Sequence, residues 1–156
     1  MTITREFAEQ FFDALMTRDP ARIAPYVADD AEWLIVGPIE LFPYCGQHIG
    51  KAAVLAAYGK IGSGTTNAHY SRDFMVADGE SASALTRLDD LHQPSGHEVV
   101  ARLAQFARFR DGKVVEFCSI IDTFGAAEQV LGHALLPVAA PALAGEHRQR
   151  RHTRNL

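Results

Sequence analysis

Cysteine is scarce in this 156-residue chain. Only Cys45 and Cys118 are present, too few for a disulfide framework, and neither has the Cys-x-x-Cys or Cys/His spacing that zinc requires. Both read as buried reduced thiols. Long hydrophobic runs are missing too: the stretch from Ala134 to Ala144 is broken by prolines and falls short of the ~20 residues that cross a bilayer. The first residues carry Glu6 where a secretory signal carries only positive charge, and no apolar h-region follows. A soluble, cytoplasmic protein with no membrane partner is expected. The patterns GxxxxGK[ST], GxGxxG, GxSxG, HExxH and HxxxH are absent, so nucleotide binding, a hydrolase nucleophile elbow and a metal site lack support. The expectation is no cofactor and no metal.

The net charge of −4 conceals an asymmetry, because residues 146–156 hold Arg148, Arg150, Arg151 and Arg154 against Glu146, leaving −7 for the rest. A body of that sign repels phosphate backbones, and the basic tail has no aromatic for base stacking. Nucleic acid is therefore not an expected partner. With 47% hydrophobic residues, the length suits one well-buried core. The chain divides into a single domain over 1–133 and a tail over 134–156, Ala/Pro-rich and then Arg-rich, which is predicted to be mobile.

Residues 4–18 place Phe7, Phe11, Ala14 and Leu15 on one helical stripe behind Thr4 as N-cap. Asp19-Pro20 restarts the chain as a second short helix over 21–28. Trp33 to Val36 reads as a strand. Gly37 to Gln47 has loop chemistry, with Phe42 and Tyr44 as lid or packing residues. A third helix over 50–61, carrying Tyr58 on its apolar face, is stopped by Gly62-Ser-Gly64. Four strands at about 67–77, 80–92, 98–110 and 113–121 follow as antiparallel hairpins, divided by Asp78-Gly79, Pro94-Ser-Gly96 and Asp111-Gly112. Asp122 then caps a short helix. The face holding Arg102, Ala104, Phe106 and Arg108 is more apolar than plain solvent favours, which predicts a homodimer through the sheet.

This element order, with FFDALMTRDPARIAPYVADDAEW, CGQHIGKAAV, RFRDGKVVEF and IIDTFGAAEQVLG, resembles the SnoaL-like, or nuclear transport factor two-like, superfamily over residues 5–132. The resemblance implies an α+β fold: a cone-like, curved, mixed but mostly antiparallel sheet wrapped around three N-terminal helices, a cystatin-like α+β barrel. It also implies a pocket for a small apolar molecule. It does not imply one activity, since the superfamily spans isomerases, dehydratases, cyclases, epoxide hydrolases and silent binding modules.

Carried over residue by residue, the ketosteroid isomerase roles fall on Phe11 for the tyrosine, Ile35 for the base and Gln105 for the acidic donor, so that site set is incomplete. The limonene epoxide hydrolase pattern finds its Arg-x-Asp in Arg87 and Asp89, which strand period two puts on one face. Its water-activating half falls on Trp33, Ile35 and Ser119, and Ser119 also occupies the acid/base position of polyketide cyclases. Dehydratases of this fold imply His48 and His69 as further candidates.

The expected catalytic set is Asp89, Arg87 and His69. The expected pocket lining is Phe11, Trp33, Ile35, Tyr44, His48, Tyr58, Gln105, Phe117 and Ser119. Two registers remain open for Arg87 and Asp89: inward, as a buried acid/base pair, or outward, as a structural pair. Two function classes remain open with them: an acid/base lyase, isomerase or hydrolase of a hydrophobic metabolite, or a non-catalytic small-molecule binding or dimerisation module.

Overall fold

Thr4 opens α1 (Arg5–Met16) by accepting a hydrogen bond from the Phe7 N–H at 3.1 Å, which satisfies one of the donors a helix start leaves unpaired. The computed structural model describes residues 2–135; residues 136–156, and the expectation made for them, lie outside the described residues. Asp19 caps α2 (Pro20–Ile23) in the same way through the Ala21 N–H. This helix is shorter than the composition suggested. Pro25 turns the chain into one 3-10 turn (Ala24–Tyr26), and β1 (Val27–Val36) begins six residues earlier than Trp33.

The loop after β1 ends in a four-residue strand, β2 (Gly46–Ile49), that pairs back on β1 with Trp33 opposite His48. The helix α3 (Lys51–Gly64) then runs through Gly62-Ser-Gly64. Gly62 serves close approach rather than termination, since a Cβ there would lie 3.1 Å from the Arg18 carbonyl oxygen. Four long strands follow, β3 (Thr65–Asp78), β4 (Ser81–His92), β5 (His97–Arg110) and β6 (Lys113–Ile121), and α4 (Thr123–Leu131) closes the domain, capped by Asp122.

The six strands form one sheet in the order β2-β1-β6-β5-β4-β3. All neighbours are antiparallel except β1 and β6, which run parallel. The sheet is mixed and strongly curled, and with the helices it makes the expected α+β cone. Alternation along β4 is clean: Ala82, Ala84, Thr86, Leu88, Asp90 and His92 face inward and buried, while Arg87 and Asp89 face outward and exposed.

Aromatic rings fill the interior at the α1 end. Phe11 is fully buried and meets Phe109, Phe117 and Trp33 edge-on at 5.3, 6.1 and 6.3 Å, and Trp33 stacks on Phe117 at 4.1 Å. The helix α4 docks on β5 where β6 no longer reaches. Its Gln129 side chain accepts from the Val100 N–H at 2.7 Å and donates to the Val100 carbonyl at 3.1 Å. His97 Nδ1 donates to the Val130 carbonyl at 2.8 Å.

Candidate functional site

The site is built around a residue that turns a corner. Arg18 follows the last turn of α1 with φ at +56°, a left-handed conformation that costs a non-glycine residue of order 1–3 kcal/mol and persists only where surrounding structure enforces it. The Asp19-Pro20 restart enforces it here. Turned this way, the Arg18 side chain runs inward under β3 and β4, where it is only 9% exposed. Its Nη2 donates to Asp90 Oδ2 at 2.6 Å, its Nε donates to the Tyr70 hydroxyl, and its guanidinium lies 5.0 Å from the Tyr70 ring centre.

Asp90 is 5% exposed. While Oδ2 is held by Arg18, Oδ1 is buried and has no hydrogen-bond partner among the described residues. Burial raises the Asp90 pKa above the ordinary 3.8, and the Arg18 hydrogen bond and charge oppose that rise without cancelling it. Burial likewise raises the pKa of Tyr44, Tyr58 and Tyr70, so all three phenols stay neutral and able to donate. Burial also pushes the Cys45 thiol up to about 11, which leaves it unreactive near neutral pH.

Two small cavities adjoin the ion pair. One, of about 80 Å³, is bordered by Arg18, Tyr58, Tyr70, Gln105 and Ser119. The Gln105 carbonyl oxygen accepts from the Thr86 hydroxyl at 3.3 Å, which leaves its NH₂ as a further donor. The other, of about 60 Å³, is bordered by Asp90, His92 and Thr65 and by apolar groups such as Phe42, Val99 and Ile121. Ile35, Tyr44, Leu103 and Ser119 border both. The cavity that Arg18 borders is therefore the richer in donors, and the one that Asp90 borders is the more apolar.

Of the residues expected from sequence, Ile35, Tyr44, Tyr58, Gln105 and Ser119 line these cavities. Phe11, Trp33 and Phe117 do not; they are packed against one another and plug the interior. Arg87 and Asp89 take the outward of the two registers, and His69, paired across from Asp89 in the ladder, is exposed as well. The inward of the two open readings, which would place them in the catalytic interior, does not hold: the inward positions of β4 are Ala82, Ala84, Thr86, Leu88, Asp90 and His92. His48 lies under the lid loop, where its Nε2 donates to the Tyr44 carbonyl at 2.9 Å.

Arg18, Tyr70 and Asp90 were missed. Only Asp90 had a signal: Ala84, Thr86 and Leu88 are a less polar set than Leu85, Arg87 and Asp89, and strand period carries that face onto Asp90. Among the described residues, no three His, Cys, Asp or Glu side chains gather as metal ligands.

Fold and site together define a class, the α+β cone domains whose curled sheet encloses a small interior cavity. The chain belongs to the SnoaL-like domain family, whose profile matches residues 8–117. A proposed isomerase from Rhodopseudomonas palustris superposes with a TM-score of 0.76 at 29% identity, covering 84% of this chain and all of that one. A nuclear transport factor two-like protein from Burkholderia xenovorans gives 0.66 at 24% identity, covering 80% and 93%. IdmH, a proposed polyketide cyclase from Streptomyces antibioticus, gives 0.64 at 16% identity over 81% and 96%; these last two show the shared fold. No curated protein sequence gives a significant match.

Proposed function

We propose that this protein is a cofactor-free acid/base enzyme acting on a small apolar carbonyl compound, with Asp90 as the proton carrier. One observation carries the reading: a buried carboxylate on a cavity wall, anchored through Oδ2 by Arg18 and with no hydrogen-bond partner at Oδ1 among the described residues. A purely structural ion pair has no need of a bare buried oxygen, which costs free energy unless something binds it. In the proposed step, Asp90 Oδ1 takes a proton from the carbon next to the carbonyl and the electron pair moves onto the carbonyl oxygen. Donors from Tyr58, Tyr70 and Gln105 stabilise the oxyanion; in a substrate with a double bond between its β and γ carbons the anion is a dienolate, and the proton returns at the γ carbon as the double bond moves into conjugation with the re-formed carbonyl. The net change is an isomerisation that needs no external reactant. The 29% identical structure described as a proposed isomerase supports this reaction class, and the polyketide cyclase likeness fits a site for carbonyl-bearing apolar molecules. The two free cysteines suit the reducing cytoplasm proposed as its compartment.

The test is deuterium exchange from solvent into a panel of small cyclic ketones and enones, followed by mass spectrometry. Wild type exchanges the hydrogens next to the carbonyl, and Asp90→Asn lowers that rate by about 100-fold or more, the usual scale of a positioned base. Asp89→Asn and Arg87→Ala leave it unchanged. If the panel stabilises wild type and Asp90→Asn alike and neither exchanges hydrogen, the protein is a binding module.

A further inference from the structure

The two cavities beside the Arg18–Asp90 pair are too small for the ligand just described. At about 80 and about 60 Å³, each falls below the ~150 Å³ of a void that accepts benzene, and far below the ~300 Å³ at which small-molecule sites begin. A shared wall has to move. Four residues form that wall, and three of them cannot retreat: Ile35 and Ser119 are ladder partners between β1 and β6, and Leu103 is paired with Thr86 and Ile121 inside the sheet.

Tyr44 is different. It stands on the loop between β1 and β2, whose backbone bonds are internal: the Leu41 and Phe42 N–H groups donate to the Pro38 carbonyl, and the Cys45 N–H donates to the Phe42 carbonyl. Its backbone is tied outward by His48, at the Tyr44 carbonyl. The loop is bounded by Gly37, where a Cβ would collide with the Cys45 sulfur, and by Gly46, with φ at +108°.

We infer that the two cavities are halves of one ligand site, that Tyr44 is the movable partition that sets ligand size, and that the ligand is a flat, ring-sized apolar molecule with an oxygen at one end. The oxygen end belongs on the donor side, among Tyr58, Tyr70 and Gln105; the carbocyclic body belongs against Phe42, Val99 and Ile121. A cation is disfavoured by Arg18 on the same side. The inference rests on the proposed acid/base reading for its choice of ligand end, and on the geometry of the wall for the gate.

The probes are phenol and 2-naphthol, titrated calorimetrically into wild type, Tyr44→Phe and Tyr44→Ala. A site whose competent state is only partly populated binds more weakly by that fraction. Tyr44→Ala is therefore expected to bind 2-naphthol about tenfold more tightly than wild type while phenol affinity moves by less than about threefold, and Tyr44→Phe to behave as wild type. Equal change for both probes, no change for either, or weaker 2-naphthol binding in Tyr44→Ala overturns the gate.

Should Tyr44→Ala lose cooperative unfolding, His48→Gln releases the same loop without touching the cavity wall. 2-Naphthol association, read from quenching of the single tryptophan, Trp33, is then expected to be at least about threefold faster, and an unchanged rate overturns the gate. Failure of the catalytic reading looks different: the size preference shifts in Tyr44→Ala as described, yet no ketone exchanges hydrogen in any variant.

Discussion

The two oxygens of Asp90 meet opposite surroundings, and stability should record it. Because burial holds the folded-state pKa above the ordinary carboxyl value, the folded protein binds the Asp90 proton more tightly than the unfolded chain between those two values. Stability therefore falls as pH rises through that window and is regained on acidification. Compared with Asp90→Asn, wild type is expected to lose melting temperature steadily from about pH 4 upward and to level off above the folded-state pKa, as thermal melts across pH would show. Arg18→Met removes the cation bonded to that carboxylate and should cost about 3–5 kcal/mol at neutral pH by urea denaturation, less in acid where Asp90 becomes neutral. Sequence reading went astray at this scale because a motif drew attention to Arg87 and Asp89, whereas the neighbouring Asp90 needs a partner 72 residues away, delivered by a helix end that no spacing rule connects to β4.

At the scale of elements, most of the fold was legible. The hairpin turns at Asp78-Gly79 and Asp111-Gly112 have positive φ at Gly79, Asp111 and Gly112, as two-residue hairpins demand. The caps at Thr4 and Asp122 form as expected. β2 was not legible: four residues beginning with glycine carry no strand pattern of their own, and its formation depends on the exposed edge of β1. Besides His97, the helix α4 is fastened to β5 by a side chain that imitates a strand, Gln129, bonding both backbone groups of Val100. Gln129→Ala should lower stability by about 1–3 kcal/mol, given three lost hydrogen bonds, two to Val100 and one to the Gly125 carbonyl. Amide exchange at Val100 should quicken while Leu103, still paired with β6, keeps its protection.

At the scale of the whole molecule, the outer face of the sheet carries two rows that run across the strands. Val76, Ser83, Phe106, Cys118, Leu34 and Gln47 are successive ladder partners, and so are Phe74, Leu85, Ala104, Ile120 and Val36. Phe74 and Phe106 are 56% and 49% exposed there, and Phe106 lines a hollow of about 620 Å³. Apolar surface this continuous is unusual on a monomer. We propose that a second copy covers it; light scattering should then give twice the 17.1 kDa chain mass, and Phe106→Asp should give the single mass with the cavity probes still bound. No helix among the described residues is long and apolar enough to cross a membrane.

The parallel seam between β1 and β6 has a consequence in time. Every other strand pairing joins neighbours in the chain, whereas Leu34 and Cys118 meet across most of the domain. Loop closure of that span is the slow kind of contact, so the hairpins of β3 to β6 should assemble first and the N-terminal third should dock last. Arg18, Ile35 and Tyr44 lie on one side of the seam; Tyr70, Asp90 and Gln105 lie on the other. A ligand held by both sides would meet no finished site in the folding transition state. It should act as a kinetic clamp, lowering the unfolding limb of the chevron while the refolding limb stays where it is.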